Sequence, residues 1–237
     1  MNKTIFSVMM LVAVTGNAMT ITGDYIVYEC PYCGAKAHDA ELGSYNTIGA
    51  TFWSDFFRIA PMAPSQDVVS RCWKCKNAFC KWSAKSSTVS LEFITSNRMD
   101  NPYITWTGDY SVVKEALVAE MRKADPDNEL DLRMRLLWAA NHKDRKAIVE
   151  QRSDKSIIVK EVSAAERKEN LQRLSSMTNM PPTLKVEILR EMGNFKEAKA
   201  VLIAFKKAYP EEYKEREKQF KKLEAQIEAK NAKVFVW

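Results

Sequence analysis

The sequence predicts an α+β protein in which a small cysteine-bearing β module precedes an all-α bundle. Both Cys-x-x-Cys pairs of the 237-residue chain lie before residue 80. From residue 112 onward, apolar residues recur instead at the three- and four-residue spacing of amphipathic helices. The composition, with 46% hydrophobic and 28% charged residues, 7 Gly and 8 Pro, is typical of a globular chain. It excludes collagen-like and disordered classes.

The first residues leave the compartment open between two interpretations. Residues 5–14 form an apolar stretch of signal-peptide length, and small residues at 16–18 offer a cleavage site. Residues 1–18 would then be a cleaved signal peptide and the protein would be exported. Alternatively, Met19 is the true start, the preceding residues are a misassigned extension, and the protein is cytoplasmic. In both cases residues 1–22 precede the folded part, and we expect no transmembrane span in the mature protein.

The strongest chemical signal is a pair of cysteine knuckles, Cys30-Pro-Tyr-Cys33 and Cys72-Trp-Lys-Cys75. A two-residue gap lets both thiolates of a knuckle converge on one cation, and Gly34 permits the tight turn after the first knuckle. Two knuckles supply four sulfur ligands, the tetrahedral set that suits one structural Zn²⁺. The spacer between them is longer than in common patterns of this kind, so we expect an inserted hairpin or loop there.

Two other uses of these cysteines stay open. In an exported protein they could form disulfides, and one Cys-x-x-Cys pair could be a redox couple. The fifth cysteine, Cys80, lies in an apolar setting between Phe79 and Trp82. We interpret Cys80 as a small buried hydrophobic residue and neither a fifth ligand nor a nucleophile.

The spacer carries three short motifs, Asn46-Thr-Ile-Gly-Ala50, Trp53-Ser-Asp55 and Ala60-Pro-Met62. Together with the knuckles and Phe79, they resemble the zinc-ribbon-like region of an uncharacterised bacterial protein group, in which helices of tetratricopeptide type follow. The resemblance covers residues 25–85 and implies a zinc-ribbon-like module, but no activity. The chain departs from the pattern at Phe56 and Lys76, where glycine is usual and a turn is expected, and at Cys80, where an aromatic is common.

The motif Trp53-Ser54-Asp55 has two interpretations. It could form a binding loop. Alternatively, Trp53 covers a small metal-centred core while Asp55 caps a turn, since small metal modules have few other apolar groups to bury.

Helical patterns begin after a turn-rich junction at residues 99–103. Residues 88–94 alternate partly and predict a strand before it, so we place the module at 23–100 and the helical bundle at 101–237. Apolar stripes predict helices over 112–121 and 130–138, and Ser163-Ala-Ala-Glu166 fits a capping box.

Residues 183–210 predict a helical hairpin that resembles one tetratricopeptide unit. Apolar faces flank Gly193, which we expect to adopt a positive φ and end the first helix, and Pro210 stops the second. Because one repeat cannot bury its own face, the other helices must stack on it. A charged helix is expected over 211–230. The apolar residues 234–237 should then dock on the bundle or bind a partner.

Charge and motifs together favour a non-enzymatic zinc-binding interaction or adaptor protein whose helical half binds a protein or peptide. The net charge of +6 arises entirely from residues 111–237, so the cysteine-bearing half is not a basic patch. Nucleic-acid binding through the aromatics Tyr32, Trp73 and Trp82 is an alternative that we do not favour. An exported thiol oxidoreductase using Cys30 and Cys33 is another.

Overall fold

A computed structural model gives the structure of this chain, and it describes residues 21–44, 47, 49–59, 68–96, 110–121, 126–142, 145 and 162–237. The described part is mixed α+β, with antiparallel strands first and helices afterwards, as the sequence predicts. The predictions for residues 1–20, the Ala60-Pro-Met62 motif and the junction at 99–103 fall outside these residues. None of the described helices is long and apolar enough to cross a membrane.

The described residues contain seven strands, eight α-helices and one short 3-10 helix at Lys81–Ser83. The strands are β1 (Ile21–Glu29), β2 (Lys36–Ser44), β3 (Thr51–Phe52), β4 (Arg58–Ile59), β5 (Val69–Arg71), β6 (Ala78–Cys80) and β7 (Lys85–Val89). The helices are α1 (Leu91–Ser96), α2 (Tyr110–Met121), α3 (Pro126–Ala140), α4 (Ala164–Ser175), α5 (Pro182–Glu191), α6 (Phe195–Ala208), α7 (Pro210–Glu215) and α8 (Glu217–Glu228).

The strands form three small antiparallel sheets. The largest has the order β2-β1-β7, with Val27 opposite His38 on one side and Ser87 on the other. Strands β3 and β4 pair within the spacer between the knuckles, and β5 and β6 form a hairpin that carries the second knuckle. The inserted hairpin expected from the spacer length is therefore present.

The strand predicted over residues 88–94 is wrong in its second half. Strand β7 ends at Val89, and helix α1 begins at Leu91. The Ser90 hydroxyl accepts a hydrogen bond from the Phe93 N–H at 3.3 Å, a capping contact that satisfies a free helical donor. The partial alternation of the sequence does not reveal this capping role.

One hydrophobic core joins the second knuckle hairpin to the helices. Val69, Ala78 and Cys80 pack in the same cluster as the buried faces of α2 and α3. The Cys80 side chain is fully buried in this cluster, which confirms its interpretation as a core residue. The cysteine-bearing strands and the first helices thus bury each other's apolar surface.

The predicted helical hairpin is present as α5 and α6. Gly193 has φ +80°, its N–H bonds to the Arg190 carbonyl at 2.9 Å, and the Asn194 N–H bonds to the Leu189 carbonyl at 2.9 Å. These two bonds form a Schellman cap, which ends α5 and turns the chain into α6. The capping box of Ser163 also forms at the start of α4. Tetratricopeptide identity stays a prediction.

The charged helix expected over 211–230 is interrupted. The chain forms α7 and α8 with a break at Arg216, whose φ of −112° and ψ of 23° lie outside the helical region. The Tyr213 and Phe220 rings stack across the break with centroids 5.0 Å apart. The break therefore brings two aromatic residues together in the same core.

Residues 231–237, here called the terminal segment, dock on the molecule as one of the two sequence interpretations expects. Val236 bridges to Trp53 in antiparallel fashion. Phe235 and Trp237 pack against a core cluster formed by α5, α6, α7 and α8. The segment therefore links the inserted hairpin to the helical half.

Candidate metal centre

Two equivalent turns position the four cysteines. Cys30 follows β1 and Cys33 precedes β2, while Cys72 and Cys75 lie between β5 and β6. In each knuckle the N–H of the residue after the second cysteine bonds to the first cysteine's carbonyl at 2.9 Å. The same turn thus presents both sulfurs of a pair to one side.

The second knuckle keeps this turn without the glycine of the first. Gly34 has φ +69°, and Lys76, at the equivalent position, has φ +65°. Arg71 Nη1 donates to the Lys76 carbonyl at 2.7 Å, and Lys76 Nζ donates to the Trp73 carbonyl at 2.6 Å. Phe56 likewise has φ +63°. The departures from glycine at 56 and 76 therefore strain the turns without abolishing them.

The four sulfurs converge on one point. The Sγ atoms of Cys30, Cys33, Cys72 and Cys75 all lie within 4.8 Å of one another. Across the two knuckles, Cys30 and Cys75 are 3.7 Å apart and Cys33 and Cys72 are 3.6 Å apart. A tetrahedral ion with metal–sulfur bonds of about 2.3 Å would separate its sulfurs by about 3.8 Å. The cluster could therefore hold a metal ion.

The pKa values of two of the buried thiols, Cys30 and Cys72, shift in opposite directions. Burial raises the pKa of Cys30 to about 12, against the lowering effect of nearby backbone N–H groups. Burial also acts to raise the pKa of Cys72, but the N–H groups of Cys75 and Lys74 outweigh it and lower this pKa to about 7. Since metals bind thiolates, metal binding at neutral pH must displace protons from this cluster.

The cluster is anchored on both sides. Cys30 and Cys72 pack with Phe79 in a small core. Trp73 Nε1 donates to the Lys36 carbonyl at 3.2 Å, which links the second knuckle to the first. Glu115 of α2 accepts the Ala78 N–H at 2.9 Å and pairs with Arg71 at 2.9 Å. Helix α2 therefore holds the second knuckle in place.

The motif Trp53-Ser54-Asp55 lies in the interior, and each of its side chains is at most 1% exposed. Trp53 is not part of the small core around the cysteines. Asp55 does cap its turn, because its Oδ1 accepts the Phe57 N–H at 3.3 Å. Its other oxygen bonds to Arg145 of the helical half. The motif thus contacts the helical half, and its tryptophan lies outside the small core around the cysteines.

Asp55 belongs to a second buried polar centre, here called the ion cluster, which consists of Asp55, Asn141, Arg145, Arg167 and Glu191. The Asn141 amide donates to Asp55 Oδ2 at 3.0 Å and to Glu191 Oε2 at 2.9 Å. Arg167 donates to Glu191 at 2.6 Å and to the Asn141 oxygen at 3.0 Å. The Arg145 guanidinium lies 4.2 Å from the centre of the Phe57 ring.

Burial raises the pKa of Glu191 to about 8, and the charges of Glu187 and Asp55 act in the same direction. Arg167 and Asn141 oppose the shift without cancelling it. Glu191 Oε1 is buried and has no hydrogen-bond partner. A proton on this carboxyl is therefore favoured in the folded protein at neutral pH.

Sequence reasoning missed the ion cluster altogether. Its members come from the spacer and from helical positions up to 136 residues further along, and their spacing matches no motif. Comparison with protein families, curated proteins and solved structures found no match to this chain. The resemblance of residues 25–85 to a zinc-ribbon-like region stays a prediction.

Proposed function

We propose that this protein is a non-enzymatic, zinc-binding interaction protein in which one structural Zn²⁺ fixes the knuckles and the helical half binds a protein or peptide partner. The observation that carries the metal is the convergence of four thiols within 4.8 Å. An all-sulfur tetrahedral set favours zinc over hard cations such as Mg²⁺ or Ca²⁺. The ion would replace mutual thiol contacts by four metal–sulfur bonds.

The shared core supports the idea that the metal organises more than the knuckles. Ala78 and Cys80 follow the second knuckle directly and pack against α2. A metal that fixes Cys72 and Cys75 would fix the start of this hairpin, and with it the surface on which α2 rests. The zinc-ribbon-like module would then be a support for the helical half.

Exposed apolar side chains on the helices support partner binding. Val118 of α2 is 52% exposed, and Ile203 of α6 is 58% exposed. Such residues are candidates for contact with a partner, in keeping with the surfaces that helical scaffolds present.

Metal analysis of native protein purified under reducing conditions tests the proposal. We expect one equivalent of zinc per chain, released by a strong chelator together with a rise in titratable thiols. Pull-down with the zinc-loaded chain as bait, compared with the chelated chain, should recover partner proteins only with metal bound. Zero metal, or disulfides in place of free thiols, would contradict the zinc assignment.

Exposed aromatics at the knuckle tips favour single-stranded nucleic acid as a second candidate ligand. Tyr32 is 50% and Trp73 is 45% exposed, and Lys74 lies beside Trp73. Aromatic side chains of this kind can stack on bases. Titration with an oligonucleotide at two salt concentrations distinguishes this candidate, because nucleic-acid binding weakens steeply with salt.

A further inference from the structure

The terminal segment is held to residues 52–54 through its backbone. The Ser54 N–H donates to the Phe235 carbonyl at 2.8 Å, and the Trp237 N–H donates to the Phe52 carbonyl at 2.9 Å. The Phe235 N–H in turn donates to Ser54 Oγ at 3.2 Å. Addition of an extended segment to a strand edge through main-chain bonds is a general mode of peptide recognition.

Two cations on the helices complete the contact. Arg190 Nη1 donates to the Lys233 carbonyl at 2.9 Å, and its guanidinium lies 5.1 Å from the Phe235 ring centre. Lys222 Nζ donates to the Val236 carbonyl at 2.5 Å. Most of these bonds use backbone atoms, so they depend little on sequence. The aromatic rings of Phe235 and Trp237 supply the side-chain selectivity.

The walls of this groove are fixed by contacts that do not involve the segment. Glu187 accepts two hydrogen bonds from Arg190, at 2.6 and 2.8 Å, and orients the guanidinium. On the opposite wall, Trp138 Nε1 donates to the Asp55 carbonyl at 2.9 Å, and Arg145 pairs with the Asp55 carboxylate. Both walls therefore have supporting contacts that do not depend on the segment.

A helix cap sets the point where the segment begins. Lys230 has φ +51°, its N–H donates to the Ile227 carbonyl at 3.1 Å, and the Asn231 N–H donates to the Gln226 carbonyl at 2.9 Å. These two bonds form a Schellman cap that ends α8 without using residues 232–237. The extended part of the segment therefore starts directly after a cap that the helix end forms itself.

From these contacts we propose that the groove between residues 52–54 and helices α5 and α8 is a binding site for an extended segment of a partner protein with aromatic residues at alternate positions. The chain's own terminal segment occupies this site in cis. Phe235 and Trp237, two residues apart, have ring centres 5.1 Å apart and both pack against the helical core. They define the Phe-x-Trp spacing of the ligand. This inference rests on the proposed interaction function and names its partner class.

A competition experiment on the full chain tests the groove. The probe is a fluorescein-labelled peptide of residues 231–237, and binding is measured by anisotropy. In the Phe235→Ala, Trp237→Ala double variant the cis ligand lacks its aromatic anchors. Since a tethered ligand acts at millimolar effective concentration, we expect the double variant to bind the probe at least about tenfold more tightly than the wild type. Lys207→Ala, at an exposed position of α6 to which we assign no contact, should behave as the wild type.

Three outcomes overturn the assignment. One is equal, weak binding by the wild type and a double variant that retains native circular dichroism. Another is equal binding of a control peptide carrying alanine at both aromatic positions. A third is a wild-type dimer that the probe dissociates, which would assign the groove to a second copy of the chain. Zinc is measured on every sample. If the double variant holds one equivalent of zinc and still does not bind the probe, the groove proposal is contradicted and the zinc proposal is not.

Discussion

The cysteine cluster and the ion cluster are both buried polar centres, but they are completed in different ways. In the ion cluster, unlike groups meet, and the Asp55 carboxylate pairs with Arg145 within the chain. In the cysteine cluster, four like groups face one another, and all offer a lone pair to the same point. Convergence of unlike charges neutralises a centre internally, whereas convergence of like ligands creates a site for a cation. The chemistry of the converging groups thus distinguishes a structural network from a candidate binding site.

The largest effect should follow from removal of one sulfur. Cys72→Ser should abolish stoichiometric zinc binding and unfold the knuckles locally, because zinc contributes on the order of 10–16 kcal/mol in isolated finger peptides. Cys80→Ala removes the one cysteine thiol that lies outside the cluster, in the adjacent core, and this variant should retain the metal. Metal analysis and hydrogen exchange measure the contrast. Full zinc content in Cys72→Ser would show that Cys72 is not a required ligand and would contradict the proposed four-sulfur zinc site.

Loss of one charge from the ion cluster should be the next largest effect. Asp55→Ala leaves Arg145 buried without its carboxylate partner, which typically costs about 3–5 kcal/mol. Asp131→Ala breaks an ion pair at 2.8 Å in which Asp131 is 41% exposed, so it should cost less than about 1 kcal/mol. Urea unfolding compares the two variants. A similar small loss of unfolding free energy in both variants would show that the ion cluster contributes no more to stability than a surface ion pair does.

The two centres should respond to pH in opposite directions. Acid protonates thiolates and weakens the metal site. The pKa of Glu191, raised from 4.5 to about 8, makes folding take up a proton. Stability from this group is fully present below about pH 4.5 and is lost as pH rises through 8. In the wild type this group should lower the free energy of unfolding by about 2–3 kcal/mol between pH 6 and pH 8. Glu191→Gln should abolish that decrease, as measured by urea unfolding at both pH values. An unchanged pH profile in the variant would contradict the raised pKa.

The smallest effects should come from the knuckle turns. Gly34→Val places a β-branched side chain at φ +69° and should destabilise by about 1–2 kcal/mol, through backbone strain alone, since no atom lies within 4 Å of the added Cβ. Lys76→Gly at the equivalent position should stabilise by up to about 1 kcal/mol. Thermal unfolding of the zinc-loaded proteins measures both changes. Equal signs for the two variants would show that the turns are not equivalent.

The sequence allowed prediction of the features that depend on neighbouring residues. The two knuckles, the Gly193 turn and the Ser163 capping box each occupy a few consecutive residues, and each has a local physical cause. The pairing of the knuckles is predicted from the ability of four thiols to ligate one cation, and the four Sγ atoms lie within 4.8 Å of one another. These features require no knowledge of tertiary structure.

Features that depend on tertiary contact could not be predicted. Nothing near Asp55 in the sequence announces that Arg145 neutralises it, because long-range ion pairs have no periodicity. The strand expected over 88–94 fails for a related reason, since the Ser90 hydroxyl caps a helix there. The break at Arg216 lies in a sequence of continuous helical propensity, and the stacking of Tyr213 on Phe220 accompanies it.

The docking of the terminal segment has a consequence for biosynthesis. Phe235 bonds to Ser54 across a separation of 181 residues. A ribosome adds about 5–20 residues per second, so about 10–40 seconds pass between synthesis of the two. During that interval the backbone of residues 52–54 lacks the hydrogen bonds that the terminal segment supplies, and unpaired backbone edges promote aggregation. The nascent chain would therefore gain from a chaperone that covers this edge until translation reaches residue 237.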